Sequence, residues 1–199
     1  MLKALPLVWL MIATPLSGQA VLEPPFGLKW GDSPEHLLEW ADRHKLDIRI
    51  TLPGDAPTMR IFRLERKGAA LPDSPARAVE ARFFDGRLSE VTVHHGMPGQ
   101  KAGAVEAESN EPKRKLGKEH GTLTANQQER TVDDDFATRT LSFHREPVRG
   151  LFLLMAFTEV EDLLRKSGRA TFSVIYRNDN LRVRLENEAR RSGGPSLGE

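Results

Sequence analysis

Apolar residues recur along this chain in two distinct periods, and the switches between them divide it into elements. After an extended lead-in at residues 21–25, Ser33 precedes Pro34: a helix N-cap followed by proline at the first helical position. Leu37, Trp40, Ala41 and His44 then recur at i, i+3, i+4 and i+7, which predicts a helix over residues 34–44. Residues 53–57 form a loop rich in Pro and Gly. The period then drops to two. Phe62 and Leu64 alternate with Arg63 and Glu65 in a strand over residues 59–66. Val79, Ala81 and Phe83 share one face of a second strand, and residues 88–95 form its return across Asp85-Gly86.

The parity of that hairpin constrains its turn. A two-residue Asp85-Gly86 loop with a regular ladder sends Val91 and Val93 to the face opposite Phe83. An odd loop, Phe84-Asp85-Gly86 with Gly86 in a left-handed bulge position, restores one apolar face and is the expected form.

Residues 97–118 are rich in Gly, Ala, Glu, Lys and Pro without an apolar period. They read as a polar mobile connection or as a polar helix beginning near Glu111. Residues 121–137 fit strand, helix or loop. Residues 138–144 alternate as a strand that Pro147 breaks, and residues 151–157 are apolar throughout, as an interior strand is. Thr158-Glu159-Val160-Glu161 spells a capping box. With Val160, Leu163 and Leu164 as a stripe and Gly168 as a stop, it predicts a short helix ending near Ser167. Phe172, Val174 and Tyr176 share one side of a further strand. Leu181, Leu185 and Ala189 favour a terminal helix, with a strand through Leu181, Val183 and Leu185 as the other reading. Together these predict an α+β fold with an antiparallel sheet packed against a few short helices.

The first 20 residues stand apart. Met1-Leu2-Lys3 leads into an apolar run through Ala13, then Ser17-Gly18-Gln19-Ala20, the layout of a cleavable signal peptide cut after Ala20. The run is shorter than the roughly 20 residues a bilayer span needs. The expected organisation is a signal peptide at 1–20, a single domain over 21–190 and a disordered tail at 191–199. The expected location is outside the cytoplasm, periplasmic or secreted, with no transmembrane segment in the mature chain.

The segment Phe26-Gly27-Leu28-Lys29-Trp30-Gly31-Asp32-Ser33-Pro34-Glu35, together with the hairpin Phe84-Asp85-Gly86-Arg87-Leu88, resembles the opening of exported bacterial proteins of uncharacterised function. More distantly, the helix-then-antiparallel-sheet pattern resembles BamE (SmpA/OmlA) lipoproteins and β-lactamase-inhibitor-protein domains. The resemblance implies an α+β fold and carries no functional residue. The chain has no cysteine, so a lipid anchor does not carry over either.

The absence of cysteine also removes disulfides, thiol catalysis and thiolate metal sites. Lys and Arg number 29 against 28 Asp and Glu, and Lys3 belongs to the leader, so the remainder is neutral and gives no reason to expect nucleic acid. Among the six histidines, His94 and His95 should point to opposite faces of a strand, and His36 and His44 lie two helical turns apart. His120 and His144 have no partner at a ligand spacing. Asp133-Asp134-Asp135 lacks the glycine and distal glutamate of a calcium loop. Glu39 and Arg43 are spaced as an exposed ion pair beside Glu35 and Asp42. Lys113-Arg114-Lys115 is flanked by Glu111 and Glu119 without interleaved aromatics. Trp40 belongs to the helix core face; Trp30 either staples the helix start or anchors a partner. No catalytic, cofactor-binding or metal residue is assigned. The sequence favours a non-catalytic protein- or envelope-binding module, with a hydrolase or small-ligand binder built from residues distant in sequence as the alternative.

Overall fold

The computed structural model describes residues 22–54, 58–96 and 100–191. Helix α1 (Pro34–Arg43) is followed by β1 (Asp47–Thr51), β2 (Met59–Glu65), β3 (Ala78–Phe84) and β4 (Arg87–His95). Helix α2 (Ala102–His120) is followed by β5 (Thr124–Asp133), β6 (Phe136–Val148), β7 (Leu151–Asp162) and β8 (Ser167–Asn178), and α3 (Asp179–Arg191) closes the series. Each group of four strands is an antiparallel meander preceded by a helix. The two meanders join through their last strands into one eight-stranded sheet of order β1-β2-β3-β4-β8-β7-β6-β5. The chain is therefore α+β, as expected, but built as two topologically equivalent halves. A six-pair antiparallel ladder from Glu90↔Arg177 to His95↔Phe172 joins them.

Both principal helices cover the same side of this sheet. Leu37 and Ala41 of α1 are fully buried over Phe62, Val79, Ala81, Phe83, Val91 and Val93. Val105 and Leu116 of α2 pack with Leu153, Met155, Phe157, Phe172 and Val174. Tyr176 touches both clusters. An N-terminal strap ties the halves together as well: Leu22 is fully buried in the second cluster, while Phe26 packs on the first. Trp30 holds the strap, donating from Nε1 to the Leu22 carbonyl at 2.7 Å, which makes it a structural tryptophan. Helix α3 seats Leu181 and Leu185 on Phe84, beside Trp30 and Met59, and Asn178 caps it by accepting from the Leu181 N–H at 2.9 Å.

The β3–β4 hairpin reaches the expected single apolar face by another route. Phe84 pairs with Arg87, so the loop is the two-residue Asp85-Gly86 with φ of 47° and 69°, the left-handed pair of a tight hairpin turn. A bulge at Arg82/Phe83 opposite Ser89 then shifts the parity, bringing Val79 against Val93 and Ala81 against Val91. The buried Ser89 hydroxyl donates to the Arg82 carbonyl at 3.2 Å and fixes that bulge.

Three further expectations are corrected. The capping box at Thr158 forms no helix: β7 continues to Asp162 and β8 begins at Ser167. Thr158 is paired with both Thr140 and Thr171. An isolated helix of two turns is marginal, whereas these residues gain ladder bonds on both sides, and β-branched Thr158 and Val160 suit a strand. Asp135 and Asp162 instead hold the hairpin turn, accepting from Leu163 N–H and Arg165 N–H, each at 2.8 Å. The polar stretch expected as a mobile connection, or as a helix from Glu111, is helical from Ala102 and carries Pro112 inside it. Pro147 does not end β6; the register shifts between Arg145 and Val148 and the strand resumes. The signal peptide falls outside the described residues, and so does the tail beyond Arg191. Among the described residues, no helix is long and apolar enough to cross a membrane.

Candidate functional site

The join of the two halves leaves an open cleft of about 950 Å³ on the helix side. Its floor comes from the central strands: Val93 and His95 of β4 beside Val174, Phe172 and Tyr176 of β8. One wall is α2, presenting Glu108, Glu111, Lys115 and Glu119. The opposite wall combines Phe26 and Trp40, whose rings lie 4.9 Å apart, with the β2–β3 loop at residues 72–75. That loop is braced by buried Leu71 and Ala76: Leu71 N–H donates to the Ala76 carbonyl at 2.8 Å, and Ala76 N–H to Ser74 Oγ at 3.1 Å.

The floor is uncharged at neutral pH. His95 stacks flat on Phe172, centroid to centroid 4.4 Å with planes 2° apart. Burial, assisted by the neighbouring His94 charge, pushes its pKa down to about 4. Tyr176 is pushed up to about 12 by burial and, secondarily, by the charge of Glu119. Helix α2 is fastened at its other end by Arg139 of β6. The guanidinium donates to Glu106 at 2.5 Å and to Glu159 at 2.9 Å, and these bonds, the Glu106 one foremost, raise its pKa.

The other side of the sheet carries a ladder of charges across β2, β3, β4 and β8. Arg63 lies 3.4 Å from Glu80, Arg82 3.2 Å from Glu90, and Arg177 3.0 Å from Asp179. Within this ladder His94 Nδ1 is 2.9 Å from Ser173 Oγ, and its Nε2 is 3.5 Å from Glu80. The His94 ring, with Arg82 and Arg63, holds the Glu80 carboxyl below its ordinary range against the cost of burial. Burial raises Glu90 despite Arg82 and Arg177.

The sequence reading assigned no site residue, and it missed both groups. Glutamate and histidine come from the neighbouring strands β3 and β4, and the serine from β8, 79 residues beyond the histidine. The alternation of Glu80 with Val79 and Ala81 was the one available sign that it shares a side with His94. The cleft floor exists only because β4 pairs with β8. His94 and His95 do face opposite sides. His36 sits 3.1 Å from Asp32 at the start of α1, and among the described residues no ion pair joins Glu39 to Arg43. Lys113 does not stand free in solvent but lies 3.3 Å above the Phe143 ring. Asp134 occupies the β5–β6 turn with φ of 29°. Among the described residues no three His, Asp or Glu side chains gather at metal-binding distances.

Comparison with protein-family models, with curated proteins and with solved structures gives no match for this chain.

Proposed function

We propose that this chain is a non-catalytic exported binding module that holds a partner or envelope ligand in the cleft between its two halves. The observation that carries this reading is the cleft itself. Its floor is largely apolar and uncharged at neutral pH, and it lies between a helix and a loop that bring charged groups to the mouth, a makeup suited to binding. Its test is native mass spectrometry of protein recovered from the envelope. A bound species should accompany the wild type and be lost in Lys115→Trp, which fills the cleft mouth. It should persist in Arg114→Trp, whose side chain is exposed outside the cleft. A wild type without a bound species, or binding equal in both variants, defeats the reading. Export is tested by the mass of the recovered chain, which should begin at Val21; an intact Met1 contradicts it.

The Ser173–His94–Glu80 contact favours a second reading, a hydrolase with Ser173 as nucleophile. It ranks below the first because Ser173 sits mid-strand, paired with His94 on one side and Ala156 on the other. The surrounding backbone N–H groups are committed to the ladders and not free to hold an oxyanion. Labelling of Ser173 by a fluorophosphonate, abolished in His94→Ala, would establish the hydrolase. An unlabelled serine removes it.

A further inference from the structure

We infer that the cleft takes an organic cation with an apolar body, a substituted ammonium held between aromatic rings and a carboxylate rim. This rests on the reading of the cleft as the binding site.

The first argument is the charge of the lining. Glu108, Glu111, Lys115 and Glu119 follow one another at spacings of three and four residues, which places them on one stripe of α2 facing the cleft. With Asp73 on the opposite loop, four acids line the cleft against two bases, Arg77 and Lys115. Lys115 is one turn from both Glu111 and Glu119 and can offset only part of their charge. Glu108 shares its carboxylate with the Gln100 amide. The rim is therefore net negative, and its field reaches inward: the Glu119 charge contributes to the raised pKa of the Tyr176 phenol on the floor.

The second argument is the surface beneath the rim. The aromatic residues Phe26, Trp40, Phe172 and Tyr176 line the same cavity, and the His95 ring between them carries no charge at neutral pH. An anion placed there faces four acids, with only Arg77 and Lys115 among the lining residues to offset them. A neutral apolar molecule fits the floor and gains nothing from the carboxylates. A substituted ammonium uses both, since its diffuse charge is attracted to aromatic faces and its weak hydration makes entry inexpensive.

The test is isothermal titration of the full secreted chain with benzyltrimethylammonium, with benzenesulfonate as the anionic comparison. The cation should bind more tightly than the sulfonate by about tenfold or more. The double variant Glu111→Gln/Glu119→Gln removes two exposed carboxylates and should weaken the cation by about tenfold, while Lys115→Gln should tighten it. Equal or tighter binding of the sulfonate, no response to the glutamate changes, or no heat with either probe overturns the inference. Its failure is separable from that of the cleft reading. If Lys115→Trp still abolishes the species bound in the envelope, the cleft is a binding site and only the cationic assignment falls.

Discussion

His94 and His95 are neighbours in the chain whose rings lie on opposite sides of the sheet, one 2.9 Å from the Ser173 hydroxyl and the other stacked 4.4 Å from Phe172. The two rings therefore sit in different surroundings. His95 has a folded pKa of about 4 against an ordinary 6.5, so between those values the unfolded chain binds the extra proton. Stability is full above about pH 6.5, falls as the pH drops toward 4, and levels off below that, a loss of roughly 3 kcal/mol from this one group. Glu80, whose folded pKa is lowered, adds a further loss once the pH falls below the ordinary carboxylate range. Urea unfolding at pH 7, 5.5 and 4.5 should show a steeper acid decline for the wild type than for His95→Gln. Parallel declines would place the sensitivity elsewhere.

Leu37 and Trp40 belong to one helical stripe but are buried to different extents. Leu37 is fully covered, while Trp40 is half-buried against Phe26 and borders the cleft. Leu37→Ala should cost about 2–5 kcal/mol. Trp40→Ala should cost less than the 3–5 kcal/mol of a fully enclosed tryptophan, about 1–3 kcal/mol. Denaturant midpoints of the two variants check the order. A costlier Trp40→Ala would mean that the ring is a core residue.

At Thr158 two substitutions separate strand from helix cap. Paired between Thr140 and Thr171, the residue should tolerate Thr158→Val within about 0.5 kcal/mol, because β-branching is kept, while Thr158→Ala costs up to about 1 kcal/mol. A helix cap would instead penalise both, since each removes the hydroxyl. Thermal unfolding of the pair gives the answer.

Gly150 turns β6 into β7 with φ of 80°, and a Cβ placed there would lie 2.3 Å from the Asn180 amide. Its N–H donates to Glu146 at 2.6 Å and its carbonyl accepts from Asp179 N–H at 2.8 Å, so the backbone has little room to move. Gly150→Ala should destabilise by about 1–3 kcal/mol. Adding Asn180→Gly should recover the steric part only, leaving the cost of the left-handed backbone. Full recovery would show that the backbone carries no strain.

Local signals were legible in the sequence wherever one face of an element met the core. The α1 stripe, the Phe62/Leu64 and Val79/Ala81/Phe83 alternations, and the Leu181/Leu185 pair all appear where their periods place them. The parity argument for the β3–β4 hairpin found the correct face. It chose the wrong device, because a buried serine gives no more sign of a bulge than of a regular pair. Thr158 failed for a physical reason: a four-residue cap signal is worth about 1 kcal/mol and competes with pairing on two sides. The cleft was not legible at all. Its floor and walls come from both halves and are neighbours only through a non-local strand pairing.

That pairing also sets an order of events in time. β4 is made as the last strand of the first half, with Val91 and Val93 on its apolar face and nothing on its outer edge. Its partner residues, 172–177, are among the last of the sheet to be made. Throughout that interval the first half is an open-edged sheet, the form most prone to pair with a neighbouring chain. Glu90, Thr92 and His94 alternate along that strand and are polar side chains of the kind that discourage such pairing.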